Sequence, residues 1–313
     1  MGTSGLRISR LGLGTSTWGR DTDELEAADL VRAFLDAGGD LVETSPAYGD
    51  GAAEHVVGGL LEGRVSRGDL MLVGRFGTPR IGVMDRSRRG LLASLDGSLA
   101  RLGTAEVDLL LLDGWDDGVP LEEALSAVEA AVTSGRAAYA GVSAPRGWQV
   151  ARSATWQEAV RRPRFVAAAT QWSLVARDGE DEIVPAALAC GLGLIAGAGL
   201  GGGVLTAKYR HGVPSDSRAA SSHLGDQVEP LLVGRPRSVV DALVTAADGL
   251  SVAPLTVALS WLLGRSGLAA ALVGPRTAGQ LRGVLAAEAA PPVPDAILAA
   301  LDDVSGAPRS ALT

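Results

Sequence analysis

Glu43, Arg75 and Asp113 each close a short apolar run, the last two ending the segments LMLVGR and DLLLLD. Ser143, Gln171, Gly197 and Gly274 close four further runs of the same kind. A strand has to end in something polar, and that alone accounts for Ser143 or Gln171. Two carboxylates and a guanidinium at matching positions of successive repeats ask for a chemical role. Carboxylates serve as bases or, when protonated, as acids, and a guanidinium holds an anion bidentately.

The elements that must position these residues follow from hydrophobic period. Apolar runs at 11–15, 40–43, 70–75, 107–113, 138–143, 165–171, 192–197 and 269–274 read as eight strands about 30 residues apart, with helical segments between them. Alternation of this kind predicts an α/β protein with a parallel sheet, and eight strands suit a closed (β/α)8 TIM barrel, whose active site lies at the C-terminal strand ends. Leu25, Ala28, Val31, Phe34 and Leu35 are expected to line one face of a first helix, and Leu91, Leu92, Leu95, Leu99 and Leu102 another. Pro120 marks a helix start, and Gly103 and Gly135 mark helix ends. The whole chain, 1–313, is read as one barrel domain, with a Gly-, Ser- and Pro-rich loop at about 197–236 and a C-terminal helix at about 294–305.

Bulk composition narrows the function classes. A chain of 313 residues, 47% hydrophobic and 20% charged, can bury a large core. A formal charge of −8 without any Lys/Arg-rich run argues against nucleic acid or an anionic membrane as partner. A small-molecule substrate is the expectation. One cysteine, Cys190, cannot form an internal disulfide, the N-terminus lacks a signal-peptide pattern, and no apolar run is long enough to span a membrane. The expected location is therefore cytoplasmic. His55, His211 and His223 offer no metal-ligand spacing and read as solvated, so no metal is expected.

The motifs add a family resemblance. The segment LVETSPAYGDGAAEHVVG resembles the aldo-keto reductase signature, with Tyr48, Gly49, Glu54 and Gly58 matching it. In the same order, SLARLGTAEVDLLLLD, GVS, VLTAKYRHG and ALVGPRTAGQL resemble further family segments, so the likeness runs from about residue 7 to 290. What it implies is NADPH-dependent carbonyl reduction by an Asp, Tyr, Lys and His tetrad. The corresponding residues here are Glu43, Tyr48, Arg75 and Asp113, and only Tyr48 is retained.

These departures carry the functional question. Glu43 and Arg75 together can preserve an ion pair, although Arg is a poor copy of a compact ammonium. Asp113 adds an anion where carbonyl reduction develops negative charge, a repulsion on the order of 4 kcal/mol at about 4 Å. The resemblance also implies NADP(H) binding through Ser143 and Gln171 at the nicotinamide. Lys208 and the run GAGLGGG with Leu200 would meet the pyrophosphate, and Gly274, Arg276, Thr277 and Gln280 the adenosine phosphate. Ala144 and Gly197 replace family residues, which weakens the nicotinamide end, and Val284 replaces a family Asn at the adenosine end. Trp18 and Trp115 are placed at the mouth as substrate-pocket residues, Trp172 reads as packing, and Cys190 as core.

Three functions compete. The rewritten tetrad narrowly favours a non-redox enzyme using Glu43, Tyr48, Arg75 and Asp113 for proton transfer, as in dehydration, cyclisation or isomerisation. The alternatives are an NADPH-dependent carbonyl or enoyl reductase and a non-catalytic NADP(H) sensor. Oligomeric state is left open by the sequence.

Overall fold

In the computed structural model, residues 1–77, 85–143 and 146–306 are described. Eight strands form a closed, all-parallel barrel in sequence order: β1 Leu11–Gly14, β2 Leu41–Thr44, β3 Met71–Phe76, β4 Val107–Asp113, β5 Ala137–Ser143, β6 Phe165–Gln171, β7 Gly193–Gly197 and β8 Leu268–Val273. This is the (β/α)8 architecture expected, with several strand ends moved by a residue.

The helices are α1 Glu24–Asp36, α2 Ala52–Leu61, α3 Arg88–Leu102, α4 Leu121–Thr133, α5 Gly147–Ala159, α6 Ile183–Ala189, α7 Gly225–Val228, α8 Gly234–Leu250, α9 Pro254–Leu263, α10 Ala278–Glu288 and α11 Asp295–Ser305. Between β7 and α8 the chain runs through short helical turns, so the long loop carries local structure of its own. Among the described residues no single helix is long and apolar enough to cross a membrane.

Local rules account for the helix bounds. Asp23 and Glu26 close a capping box at the start of α1, which satisfies two otherwise unpaired amides. Gly103 ends α3 with φ 62°, the left-handed conformation that favours glycine. The expected face of α1 holds at Ala28, Val31 and Phe34, which are buried, but not at Leu25, which is exposed. The stripe turned to the core contains Ala27, Leu30, Val31 and Phe34. That set is spaced i, i+3, i+4, i+7, so it forms the continuous stripe that a helix must turn inward.

Two apolar layers result. One fills the space between the strands and the helices, and the other fills the barrel with Leu41, Val73, Leu109, Leu111, Ala169 and Leu272 among others. Strand side chains alternate faces. Residues two positions beyond these interior ones therefore also point inward, at the top of the barrel. They are Glu43, Arg75, Asp113, Gln171 and Gly274.

Candidate active site

Register explains how the charged residues meet. Glu43 pairs across the sheet with Val73, and Arg75 with Leu111. Each strand thus carries its charged residue two positions, about 6.6 Å, above the level of its neighbour. A long arginine side chain can bridge that stagger. Arg75 Nε donates to Glu43 Oε1, while Nη1 donates to Asp113 Oδ1 and to Ser143 Oγ, each at 3.1 Å. Asp113 and Ser143 are themselves register partners on β4 and β5.

Tyr48 joins from the turn after β2. Its hydroxyl donates to Glu43 Oε1 at 2.9 Å, with Oε2 at 3.3 Å. The turn is tightly coiled: Gly49, Asp50 and Gly51 all have positive φ, at 62°, 57° and 87°. Glu54, further along α2, accepts from Arg101 Nε at 2.6 Å. Glu54 is therefore a packing residue of the signature, tying α2 to α3.

The electrostatics follow from burial. Glu43 is only 2% exposed. Burial, then the Glu43 charge, push the Tyr48 phenol well above its ordinary value, with Arg75 opposing. Tyr48 therefore stays protonated and acts as a hydrogen-bond donor. Burial works against the charge of Arg75, but Glu43, Tyr48 and Asp113 outweigh it and hold its proton more tightly than usual.

Beside this network a cavity of about 630 Å³ opens, lined by Asp113, Ser143, Arg146, Thr170, Gln171 and the acidic Asp178, Asp181 and Glu182, among others. Asp113 is the member of the tetrad that lines it. Gln171 is exposed on its rim, next to Gly197 in register. Ala144, the other nicotinamide position of interest, lies outside the described residues.

A second cavity of about 240 Å³ runs between the β7 loop and β8. It is lined by Leu200, Gly202, Gly203, Lys208, Gly274, Arg276, Gln280 and Val284. Gly202 and Gly203 have φ of 64° and 93°, which lets the backbone turn beneath the cleft without a side chain. Arg276 is not simply solvated. Nη1 donates to the Asp216 carbonyl at 2.6 Å and Nη2 to that of Asp21 at 3.3 Å, so among the described residues its guanidinium is held by carbonyls and no carboxylate. Thr277 and Gln280 cap α10, and Gln280 Oε1 accepts from the Arg276 amide at 2.8 Å. Thr277 does not line the cleft.

Sequence reasoning missed Arg218. It lines the same cleft, and a Cβ on Gly274 would lie 2.7 Å from its Nη2. Burial holds its pKa below the ordinary value, and neighbouring Arg276 adds to the effect. The available signal was an arginine ten residues after Lys208, inside a loop otherwise rich in Gly, Ser and Pro.

Trp18 and His223 need correction, whereas Trp172 packs and His55 and His211 are exposed as expected. Trp18 is 1% exposed and belongs to the outer core, so it does not line the mouth. Trp115 stands over the β4 end, edge-on to Trp148 with centroids 5.2 Å apart. Trp172 is buried and donates to Glu180 at 2.8 Å. His55 and His211 are exposed, but His223 is half-buried, with Nδ1 2.9 Å from Ser221 Oγ and Nε2 3.3 Å from Asp21 Oδ2. Cys190 is half-buried against the core.

The comparisons with known proteins agree with this layout. The aldo/keto reductase family model matches residues 10–305. An uncharacterized oxidoreductase, YrpG, of Bacillus subtilis is 31% identical, over 92% of this chain and 89% of its own. A probable voltage-gated potassium channel subunit beta of Oryza sativa is 29% identical, over 90% and 88% respectively. Norsolorinic acid reductase B of Aspergillus parasiticus is 26% identical, over 89% and 76%. With that match over nearly its whole length and a closed eight-stranded barrel presenting Tyr48 beside a buried ion pair, the chain belongs to the aldo/keto reductase family.

Proposed function

We propose that this protein is an NADP(H)-dependent oxidoreductase acting on the carbonyl or hydroxyl group of a small organic molecule. The observation that carries this reading is the glycine-lined cleft where Lys208, Arg218 and Arg276 converge, next to the Tyr48–Glu43–Arg75 network. Three cations without a carboxylate partner among the described residues suit phosphate groups. Lys208 and Arg218 would hold the pyrophosphate, Arg276 a 2'-phosphate, and Gln280 and Val284 the adenosine end. When bound, the nicotinamide supplies or accepts a hydride.

The chain's own residues supply the proton path. Tyr48 presents its hydroxyl to the substrate oxygen, Glu43 orients that hydroxyl, and Arg75 fixes the Glu43 carboxylate. The charge repulsion assigned to Asp113 from sequence is weakened by its ion pair with Arg75 at 3.1 Å. Two relatives are named as norsolorinic acid reductases, which supports redox chemistry over the non-redox chemistry favoured by the tetrad alone. Titration of the purified protein with NADPH, followed by nicotinamide fluorescence, tests the proposal, together with NADPH consumption on a panel of aldehydes and ketones. Absence of both binding and consumption would overturn it.

One observation favours a second reading. Asp113 is the tetrad residue that lines the large polar cavity, where a carboxylate can exchange a proton with a substrate. Under that reading turnover proceeds without any nicotinamide added.

A further inference from the structure

Ser143 ends β5, and its hydroxyl oxygen accepts from Arg75 Nη1 at 3.1 Å. A hydroxyl carries one hydrogen of its own. With the guanidinium in front of the oxygen, that hydrogen points away from Arg75, and among the described residues no side chain or carbonyl accepts it. Ser143 also lines the cavity of about 630 Å³ beside the Tyr48 network, so a ligand there can take the bond. Donation from a cation polarises the hydroxyl and makes it a stronger donor. Arg75 thereby sets two donors, Ser143 directly and Tyr48 through Glu43.

The rest of the cavity wall is made largely of hydrogen-bonding groups. Thr170, Gln171, Asp178, Asp181 and Glu182 contribute a hydroxyl, an amide and carboxylates, and Arg146 a guanidinium. The apolar side chains in the wall are Ala169, Ala176 and Ile183. Among the described residues no aromatic side chain lines it: Trp18 packs in the outer core, Trp172 turns to Glu180, and Trp115 faces a separate small pocket. An apolar body entering such a cavity strips water from polar groups and returns no hydrogen bond to them.

We propose that the substrate is a hydroxylated carbonyl compound, or the corresponding polyol, with a hydroxyl beside the reacting carbon that Ser143 and the cavity carboxylates recognise. This rests on the oxidoreductase reading above. Tyr48 meets the reacting oxygen, while the neighbouring hydroxyl accepts from Ser143 and donates to a carboxylate of the wall. Ser143 thereby serves the substrate, where the family likeness implies a nicotinamide contact. A methyl group in the hydroxyl's place does neither. An ammonium group satisfies the carboxylates but has no lone pair for Ser143 to donate to, and Arg146 in the same wall opposes its charge. The Ser143 donor therefore selects a hydroxyl over an amine.

The test measures kcat/KM with NADPH for hydroxyacetone, butanone and aminoacetone, which are equal in size and differ only in a hydroxyl, methyl or amino group. Hydroxyacetone should exceed both by about tenfold, the worth of one hydrogen bond of about 1.4 kcal/mol. Because a hydroxyl also activates the neighbouring carbonyl, the deciding value is the hydroxyacetone-to-butanone ratio in variants. Ser143→Ala should lower that ratio about tenfold, whereas Ser143→Thr, which keeps the hydroxyl, should retain most of it. NADPH affinity of each variant, read by nicotinamide fluorescence, separates a cofactor effect from substrate recognition. If Ser143→Ala does not fold, methoxyacetone replaces butanone with the unmodified protein, since it keeps the activating oxygen and lacks the hydroxyl hydrogen. Equal rates for hydroxyacetone and its comparator, a preference for aminoacetone, or an unchanged ratio in Ser143→Ala overturns the proposal and leaves the oxidoreductase reading standing. NADPH bound with none of the ketones reduced also overturns it. NADPH neither bound nor consumed overturns both.

Discussion

Arg75 Nη1 stands 3.1 Å from Asp113 Oδ1, while Nε of the same guanidinium meets Glu43 on the opposite side. One cation thus ties together two carboxylates from β2 and β4, and a point-charge ammonium could not do so with the same geometry. The Glu43 and Arg75 substitutions are therefore linked to Asp113: a guanidinium offers the extra donor that a carboxylate at this position requires.

That link gives opposite expectations for Asp113. If hydride transfer is native, Asp113→Asn and Asp113→His leave carbonyl reduction equal or faster, because Arg75 then faces the developing oxyanion with less competition. If Asp113 is a proton-transfer group, Asp113→Asn loses at least about a hundredfold on the true substrate. Steady-state kcat/KM for both variants, with and without NADPH, separates the two.

Tyr48 predicts an alkaline signature. Its folded pKa lies above the ordinary 10.0. Protonated Tyr48 therefore contributes stability in full below about pH 10, and that contribution is lost as pH rises toward the folded value. Absorbance near 295 nm, an order-of-magnitude marker of phenolate, should show no difference between the native protein and Tyr48→Phe around pH 10. A difference should emerge only with alkaline unfolding. The stability of Tyr48→Phe should fall less steeply with pH above 10. A Tyr48 phenolate forming at its ordinary pH would contradict the buried hydrogen bond to Glu43.

The fold was legible because every barrel strand is a short apolar run, and the helices between them carry a 3.6-residue period. The rim was legible for the same reason: alternation puts Glu43, Arg75 and Asp113 two residues above interior Leu and Val. What sequence could not give was connectivity between the side chains. Strand stagger lets Arg75 reach both carboxylates, and no single-strand pattern encodes it. Nor could an aromatic at a strand end be told from a core aromatic, which is why Trp18 was misplaced. Arg218 escaped because its position depends on how an irregular loop returns over β8, with Gly274 left bare to admit it.

The cleft predicts a cofactor preference. Arg276→Ala should lower NADPH affinity about tenfold to a hundredfold, the range for a lost charge-assisted contact of about 1.5–3 kcal/mol, and leave NADH nearly unchanged. Arg218→Ala, at the pyrophosphate, should weaken both. Calorimetry with the two dinucleotides checks this. Equal losses for NADPH and NADH in Arg276→Ala would remove the 2'-phosphate assignment.

Glu54 supports the Tyr48 turn from below. Its carboxylate is buried against Arg101, whose own side chain packs along Gly51 and Gly97, while Gly58 lies where a Cβ would overlap the Arg101 carbonyl oxygen. Removing the carboxylate leaves a largely buried guanidinium uncompensated, so Glu54→Ala should cost about 3–5 kcal/mol in urea unfolding. Gly58→Ala should also destabilise, because the clash is with backbone and cannot be relieved by a rotamer change. Replacing Glu54 and Arg101 together with leucine should recover much of the Glu54→Ala loss, since no buried charge then remains unpaired. The Tyr48 turn sits directly before α2. If the pair's role is to anchor that helix, the double variant should keep Tyr48-dependent turnover within about an order of magnitude, a modest loss of positioning. A double variant that is stable yet inactive would show that Glu54 also acts on the site itself.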